Sequence, residues 1–285
     1  MIPIAAIMVL YNKEIVNAIT YNSLLGCDTG QFKVNLIVVD NSTIENRNRE
    51  ICEINGIKYI DMQGNKGISK AYNAGLECID DAELVLLLDD DTEITSDYFD
   101  KLYNKVDKHP ERDIFAPIVE GQDGVIYSPN EFHFLKNHFI GDYKQPIHQK
   151  DFNAIASCLA IRSRVFDDYR FNELLFVDQV DQFFFCEQRK LGRKFCRINT
   201  VIKQNFYQRG EELNSEYAWK RLKIRIPDIY RHAYLMKEKV YILGALVKCS
   251  GLSLQIGKKC KSIKVIVKGV LLSIKSLFIW SSWLR

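Results

Sequence analysis

At 285 residues, 47% of them hydrophobic and 26% charged, the chain is long enough to bury one large core or two modest ones, which excludes a module needing disulfide staples or a metal knot to fold. Its 8 cysteines show no CxxC spacing, and several sit in apolar runs such as AIASCLAI and FFFCEQ, so they read as core thiols of a reducing compartment. The net charge of +3 hides a division: residues 216–285 carry 15 Lys and Arg against 3 acids, about +12, while the residues before them come to about −9. That asymmetry makes an anionic surface the expected partner of the tail.

The first residues, MIPIAAIMVLYNKE, lack a basic leader and a cleavage site and read as a first strand, not a secretory signal. The chain then alternates NKEIVNAITYNSLLGC as helix, KVNLIVVD as strand, NKGISKAYNAGLECI as helix and ELVLLLD as strand. Continuous apolar runs predict strands covered on both faces, as parallel crossover sheets require, with chemistry in the loops at their carboxyl ends. TSDYFDKLYNKVDKHP predicts a capped helix, DIFAPIVEG a strand, and residues 123–150 hairpin and loop. NAIASCLAIRSRVF is a strand entering a helix start, and DQVDQFFFCEQRKLGRKFCRI a helix ending at Gly192 before another strand. From QRGEELNSEYAWKRL the helical pattern runs nearly to the end, interrupted around Pro227 and Gly251. The expected organisation is a catalytic unit over 1–215, with a nucleotide-binding half 1–95 and an acceptor-side half 96–215, and a basic helical tail over 216–285.

Three acids, Asp89, Asp90 and Asp91, directly follow the run LVLLL. On extended backbone Asp89 and Asp91 share one side while Asp90 points elsewhere, an arrangement suited to a hard cation and a polyanionic ligand. The plainer alternative is a helix cap followed by solvated acids, although a cap needs only one acid. Asp40 ends the strand NLIVVDNST, where it serves either a turn with Asn41 and Ser42 or a base or ribose contact. In GNKGISKAYNAG, Gly64 and Gly67 allow close backbone approach to a ligand, and Ser69, Lys70 and Asn73 recur on a helix. This is neither a Walker sequence nor GxGxxG after the first strand, which disfavours an ATPase or a nicotinamide enzyme. Asp178 and Asp181 lie three apart before a heavily apolar stretch. An acid beside aromatic packing suits a general base with a raised pKa, while Asp178 could cap the helix that carries Asp181.

Taken in order, IMVLYN, LIVVDNST, GNKGISKAYNAG, LLLDDDTEI, AIASCLAIRSRVF and VDQVDQFFFCEQRKLGRKF resemble a family 2 glycosyltransferase of the GT-A fold, most like its bacterial rhamnosyltransferase branch. The resemblance spans about Ile4 to Gly210 and implies an α/β fold with a mostly parallel central sheet flanked by helices, followed here by a helical extension. It implies that Tyr11 lies near the nucleotide base, Asp40 binds the base N–H, Asp89 contacts the ribose and Asp91 holds Mg2+ or Mn2+. Asn65, Gly67, Asn73 and Asp90 would complete the donor pocket, a dTDP-sugar or UDP-sugar being the donor. Asp181 would take the proton from an acceptor hydroxyl, giving inversion, with Ser157, Cys158 and Asp178 on the acceptor side. Cys158 stands where relatives commonly have Gly, which is expected to narrow the acceptor pocket. A His that relatives place after the next strand is missing; VIKQNFYQRGEE offers Gln204, Asn205, Tyr207, Gln208 and Arg209, and Lys203 or Arg209 would neutralise phosphate instead.

Within residues 261–283, Lys261, Lys264, Lys268 and Lys275 fall within about 60° of one another on a helical wheel, beside Ile, Val, Leu, Phe and Trp. Such a helix suits the inner surface of the cytoplasmic membrane and a peripheral, cytoplasmic enzyme, with packing on the enzyme body or a second subunit as the alternative. A membrane location makes a lipid-linked saccharide, in surface polysaccharide or cell-wall glycan synthesis, the expected acceptor. Rival functions are a nucleotidyltransferase, which would need a glycine-rich basic loop near Lys13, and a non-catalytic nucleotide or nucleic-acid binder. Against nucleic acid, the tail's aromatics gather with aliphatics instead of interleaving with Lys.

Overall fold

The computed structural model describes residues 1–204 and 214–281. In chain order the elements of the first half are β1 (Ile2–Leu10), α1 (Ile19–Gly26), β2 (Phe32–Asp40), α2 (Asn48–Ile54), β3 (Lys58–Asp61), α3 (Ile68–Leu76), β4 (Leu84–Leu88) and α4 (Ser96–Lys108). There follow β5 (Ile114–Gly121), β6 (Ile126–Ser128), β7 (Asn130–His133), β8 (Lys136–His138), β9 (Phe152–Asn153), β10 (Leu159–Arg162), α5 (Val180–Lys190) and β11 (Phe195–Gln204). Three long helices close the chain: α6 (Ser215–Leu235), α7 (Lys239–Lys259) and α8 (Ile263–Ser281).

The main sheet has the order β11-β5-β10-β4-β1-β2-β3, with β6 attached to β5. All its neighbours on the β4-β1-β2-β3 side are parallel, and β10 enters antiparallel between β4 and β5. The alternation of side chains splits β1 and β4 between two cores: Ala5, Ile7, Val9, Val85 and Leu87 face one, and Ile4, Ala6, Met8, Leu84, Leu86 and Leu88 the other. Both faces are dry, which is why these strands read as unbroken apolar runs. Helix α3 lies so close to β1 that a Cβ on Gly75 would sit 2.6 Å from the Ile7 side chain. A small sheet, β8-β7-β9, occupies the stretch expected to be hairpin and loop.

The extension has a core of its own, built from Leu222, Ile226, Ile229, Ile242, Ala245 and Val265 among others, and Leu135 of the loop after β7 joins it. Helix α6 runs through Pro227 and α7 through Gly251, so the expected interruptions fall instead at residues 236–238 and 260–262. Burial of their flanking turns holds both helices together across the weak residue. Helix α7 is the one helix among the described residues long and apolar enough to cross a membrane by length and composition. In this fold it packs with α6 and α8 through Ile242, Ala245, Cys249, Ser253 and Gly257, leaving Val240, Leu243, Val247 and Leu254 exposed.

Candidate active site

At the carboxyl end of β4 the backbone turns through Asp89, Asp90 and Asp91, and Thr92 pairs with Gln204 at the end of β11. This pairing brings the Gln204 amide 2.9 Å from Asp91 Oδ1 and 3.3 Å from Asp89 Oδ2. Ser157 Oγ donates to Asp89 and lies 2.9 Å from Gln204 Oε1. Asp90 takes the other direction and pairs with Lys13 at 3.0 Å. Burial pushes the Asp89 carboxyl up to about 6, against the Ser157 hydrogen bond, and the charge of Asp91 adds to the rise. Burial likewise raises Asp91. Two carboxylates held on one amide, each discouraged from ionising, make a site that a cation would relieve.

Asp181 lies in the first turn of α5. Burial first, and then the charge of Asp89, raise it to about 7, while a hydrogen bond to the Ala156 backbone opposes the rise. A carboxyl group with that value is half ionised near neutral pH, as a general base should be. Asp91 and Asp181 line one cavity of about 620 Å³, whose far wall comes from Arg221, Arg225, Lys248 and Lys259 of the extension. A second cavity, of about 580 Å³, lies among Val34, Leu36, Lys58 and Asp80 near the amino ends of the parallel strands, away from these acids.

Asp178 is not a cap. Gln179 occupies that position with φ 66° and makes no side-chain capping bond, whereas Asp178 pairs with Arg221 at 2.7 Å and Arg225 at 3.6 Å. The backbone of this segment is held from the extension: Asp228 of α6 accepts from the N–H groups of Phe176 (3.1 Å), Val177 (2.8 Å) and Asp178 (2.9 Å). Asp228 also pairs with Arg231 at 2.7 Å.

Several expected site residues serve the chain itself. The Cys158 side chain is fully buried in the core with Leu88, Tyr98 and Ile202, so it does not narrow an acceptor pocket. Its φ of 55° explains why glycine suits the position. Gly67, with φ 92°, makes its close approach to Phe176 instead of a ligand, since a Cβ there would meet the Phe176 carbonyl at 2.7 Å. Asn73 spends its amide on the backbone of Phe171, accepting from its N–H and donating to its carbonyl, both at 2.9 Å, with Glu173 at 3.1 Å; Ser69 is buried, and Lys70 points to Glu173. Asp40 is 3% exposed and accepts from Ser42 N, Asn48 Nδ2 and Tyr59 Oη, which fills three of roughly four acceptor positions and turns it into a support for the loop. Asn65 bridges Asn41 Nδ2 and the Gly67 N–H, and Tyr11 is exposed at the carboxyl end of β1. Lys203 ends up in β11, next to Gln204; Asn205, Tyr207, Gln208 and Arg209 lie outside the described residues.

The sequence assigns no role to Gln204, Asp228, Arg221, Arg225 or Lys248. A signal was present for Asp228: it is one of only 3 acids in the tail and sits between apolar residues in IPDIY.

A candidate metal-binding cluster of a different kind lies on the small sheet, where ligand atoms of Glu131, His148 and Asp151 fall within 4.8 Å of one another. His138 beside it and Asn137, which lines the active-site cavity, are consecutive along β8 and so face opposite ways. The hard, all-oxygen pair Asp89 and Asp91 fits Mg2+ or Mn2+ beside a phosphate better than this His-containing cluster does.

The model of glycosyl transferase family 2 matches residues 5–170, more than half of the chain, including β4 and the acids Asp89, Asp90 and Asp91 after it. The chain belongs to glycosyl transferase family 2. Among solved structures it is similar to S. aureus TarS 1-349 (19% identity, 90% of this chain and 72% of that one, TM-score 0.55). The same fragment in complex with UDP-GlcNAc aligns over 97% of this chain and 82% of that one, at 18% identity and TM-score 0.55. GalNAc-T7 with UDP, GalNAc and Mn2+ is similar at 13% identity, over 96% of this chain and 57% of that one, with TM-score 0.59. These likenesses show the GT-A fold for this family 2 chain. No curated protein sequence matches it.

Proposed function

We propose that this family 2 member is an inverting glycosyltransferase that moves a sugar from a nucleoside diphosphate to a hydroxyl of a saccharide acceptor. The observation that carries the reading is the cavity that Asp91 and Asp181 share, with Asp89 beside Asp91 at the end of β4 and adding its charge to the burial that raises the Asp181 carboxyl. Asp181 takes the proton of the attacking hydroxyl, and the nucleoside diphosphate departs from the opposite face of the sugar, so one displacement inverts the anomeric centre. No second carboxylate nucleophile is required, unlike retaining glycoside hydrolysis. Asp91, with Asp89 beside it, would hold a divalent cation, which supplies charge neutralisation for the departing diphosphate. Gln204 and Ser157 keep the two acids aligned, and Tyr11 offers an exposed ring for the base.

The extension, residues 216–285, is read as the part that meets a membrane surface. On α8, Ile263, Val267, Leu271, Ile274 and Phe278 form one exposed apolar stripe beside Lys264, Lys268 and Lys275, and α7 adds Leu243 and Val247. Apolar contact next to Lys favours the anionic, cytoplasmic face of a bilayer and hence a lipid-linked saccharide of surface polysaccharide or cell-wall synthesis. A screen of UDP- and dTDP-linked sugars, dTDP-rhamnose included, by calorimetry and hydrolysis with and without Mn2+ tests the donor reading. The expected result is cation-dependent binding of one nucleotide class. Equal affinity before and after chelation would overturn it.

A further inference from the structure

Three of the chain's 5 histidines, His133, His138 and His148, gather with two carboxylates at the small sheet β8-β7-β9. On β7, Glu131 and His133 are two residues apart and share a face, and the register places His138 of β8 directly opposite Glu131. The loop after β8 returns to the same place. There the His148 backbone N–H donates to Glu131 Oε1 at 3.1 Å, and its ring Nδ1 lies 2.7 Å from that oxygen. His133 Nδ1 is 3.4 Å from Asp151 Oδ1, and the His133 and His138 rings are 4.3 Å apart between centroids. Ligand atoms of Glu131, His148 and Asp151 fall within 4.8 Å of one another, near the separation of about 3–4 Å that metal bonds of about 2.0–2.2 Å impose. With neutral imidazoles, the face sets two carboxylates against one cation, Lys136, which stands opposite His133. Simple ion pairs are the plainer account, yet exposed pairs stabilise little, and a third imidazole beside His133 adds nothing to them.

We propose that Glu131, His148 and Asp151 bind a transition-metal ion of the Zn2+ class, separate from the donor's cation, with His133 nearest to the fourth position. Carboxylate oxygens mixed with imidazole nitrogen suit Zn2+ and its neighbours in the first row, whereas Mg2+ and Ca2+ take oxygen ligands. His138, packed on the His133 ring, orients it. The role of the ion is structural: it fastens residues 139–150 to the β7–β8 hairpin. That loop carries Phe139, which lines the active-site cavity together with Asn137. The tip of the hairpin reaches the extension, where Leu135 is buried and its carbonyl accepts from Lys248. An ion held here steadies one rim of the cavity without touching the reactants. The site stands independently of the glycosyltransferase reading, because none of its ligands belongs to the acids at the end of β4.

The test uses the full chain stripped of metal, titrated with Zn2+ against a chromophoric chelator in excess Mg2+, and with Co2+ followed by its visible absorption. The wild type should bind one Zn2+ that Mg2+ does not displace, and Co2+ should show the intense bands of a low-coordinate site. His148→Gln and Glu131→Gln should each weaken Zn2+ by more than the about 10–100-fold that losing a supporting residue costs, while Asp91→Asn keeps wild-type affinity. Hydrogen exchange of residues 139–150 should slow by about fivefold or more with Zn2+ in the wild type and not in His148→Gln. The His148 side chain is exposed, so circular dichroism of its metal-free variant should match the wild type. Zn2+ that both variants retain in full is adventitious and overturns the proposal, as does a wild type that takes up none. Binding lost in Asp91→Asn and kept in His148→Gln places the ion at β4 and overturns it too. Exchange that ignores bound Zn2+ overturns the structural role.

Discussion

Asp228 in the middle of α6 accepts the backbone N–H of Asp178 at 2.9 Å, so a helix of the extension fixes the segment that leads into α5 and Asp181. Two further N–H groups, those of Phe176 and Val177, converge on the same carboxylate, which has no exposed surface. The position of the proposed base, Asp181, therefore depends on a residue far along the chain.

Replacing Asp228 by Asn keeps the volume but offers one carbonyl oxygen where two carboxylate oxygens served, and it turns an NH2 toward backbone donors. Hydrogen bonds to a charged group contribute about 1.5–3 kcal/mol, so Asp228→Asn is expected to cost about 2–3 kcal/mol in urea unfolding. Transfer should slow with little change in donor affinity, because the segment before α5 loosens while the β4 end is untouched. Unchanged stability would show that the three backbone donors find water instead.

For Asp181→Asn the expectation is a fall in kcat of about a thousandfold with UDP-sugar binding retained, in the range of lost general-base catalysis. In the wild type, kcat/KM should climb with pH and level off above about 7, following ionisation of Asp181. A pH-independent rate between 5 and 8 with a chemistry-limited substrate would remove Asp181 from the role.

Much of this was readable in advance, for identifiable reasons. Strands β2 and β4 of the nucleotide half are nine and five largely apolar residues, one ending in Asp40 and the other followed by Asp89, and both the period and the acid are local in sequence. Asp89 and Asp91 meet Gln204 while Asp90 meets Lys13, which is the alternation expected of extended backbone although the chain bends at Asp90 and Asp91. What failed was reading an allowed function from a residue type. Asn73, Gly67 and Cys158 are each shaped by a neighbour distant in sequence, at Phe171, Phe176 and Tyr98. No window of the chain contains that information. The tail shows the same limit: a helical wheel groups all apolar residues of α8, but in the fold Val265 and Leu272 are packed inside while Val267 and Leu271 face outward.

Asp91→Asn should lower UDP affinity in Mn2+ by about tenfold or more, to the level of the chelated wild type, and further chelation should then have no effect. Glu131→Gln at the small-sheet cluster should leave this response intact, because that cluster stands outside the cavity. Calorimetry of both variants with and without EDTA separates the two candidate cation sites. A lost Mn2+ response in Glu131→Gln alone would move the ion away from β4.

Charging the exposed stripe offers a test of the membrane reading. Val247→Glu and Phe278→Glu alter residues 74% and 71% exposed, so folding should hold within about 0.5 kcal/mol. Flotation with vesicles containing anionic lipid should fall at least fivefold in the double variant, and salt should weaken the wild-type interaction. Undiminished flotation would assign the stripe to another contact.

The last prediction follows from the same raised acids. Asp89 and Asp181 titrate near about 6 and about 7 in the folded chain, both above the range of an unfolded aspartate near 4. Between those values the folded state holds protons that the unfolded state has released. Their stabilising contribution is thus fully present below pH of about 4 and is lost as pH rises through 6 and 7. The cation-free protein should be less stable at pH 8 than at pH 5 as far as these two groups are concerned. Asp181→Asn removes the need to ionise a buried carboxyl, so its stability relative to wild type should grow from pH 5 to pH 8, reaching about 1–2 kcal/mol after allowance for solvent reaching the cavity. Mn2+ with UDP should narrow the gap by stabilising the ionised wild type. Urea unfolding at the two pH values measures the difference, and an Asn variant with no pH-dependent gain would mean that Asp181 is ordinary in its acidity and unsuited to act as a base poised at neutrality.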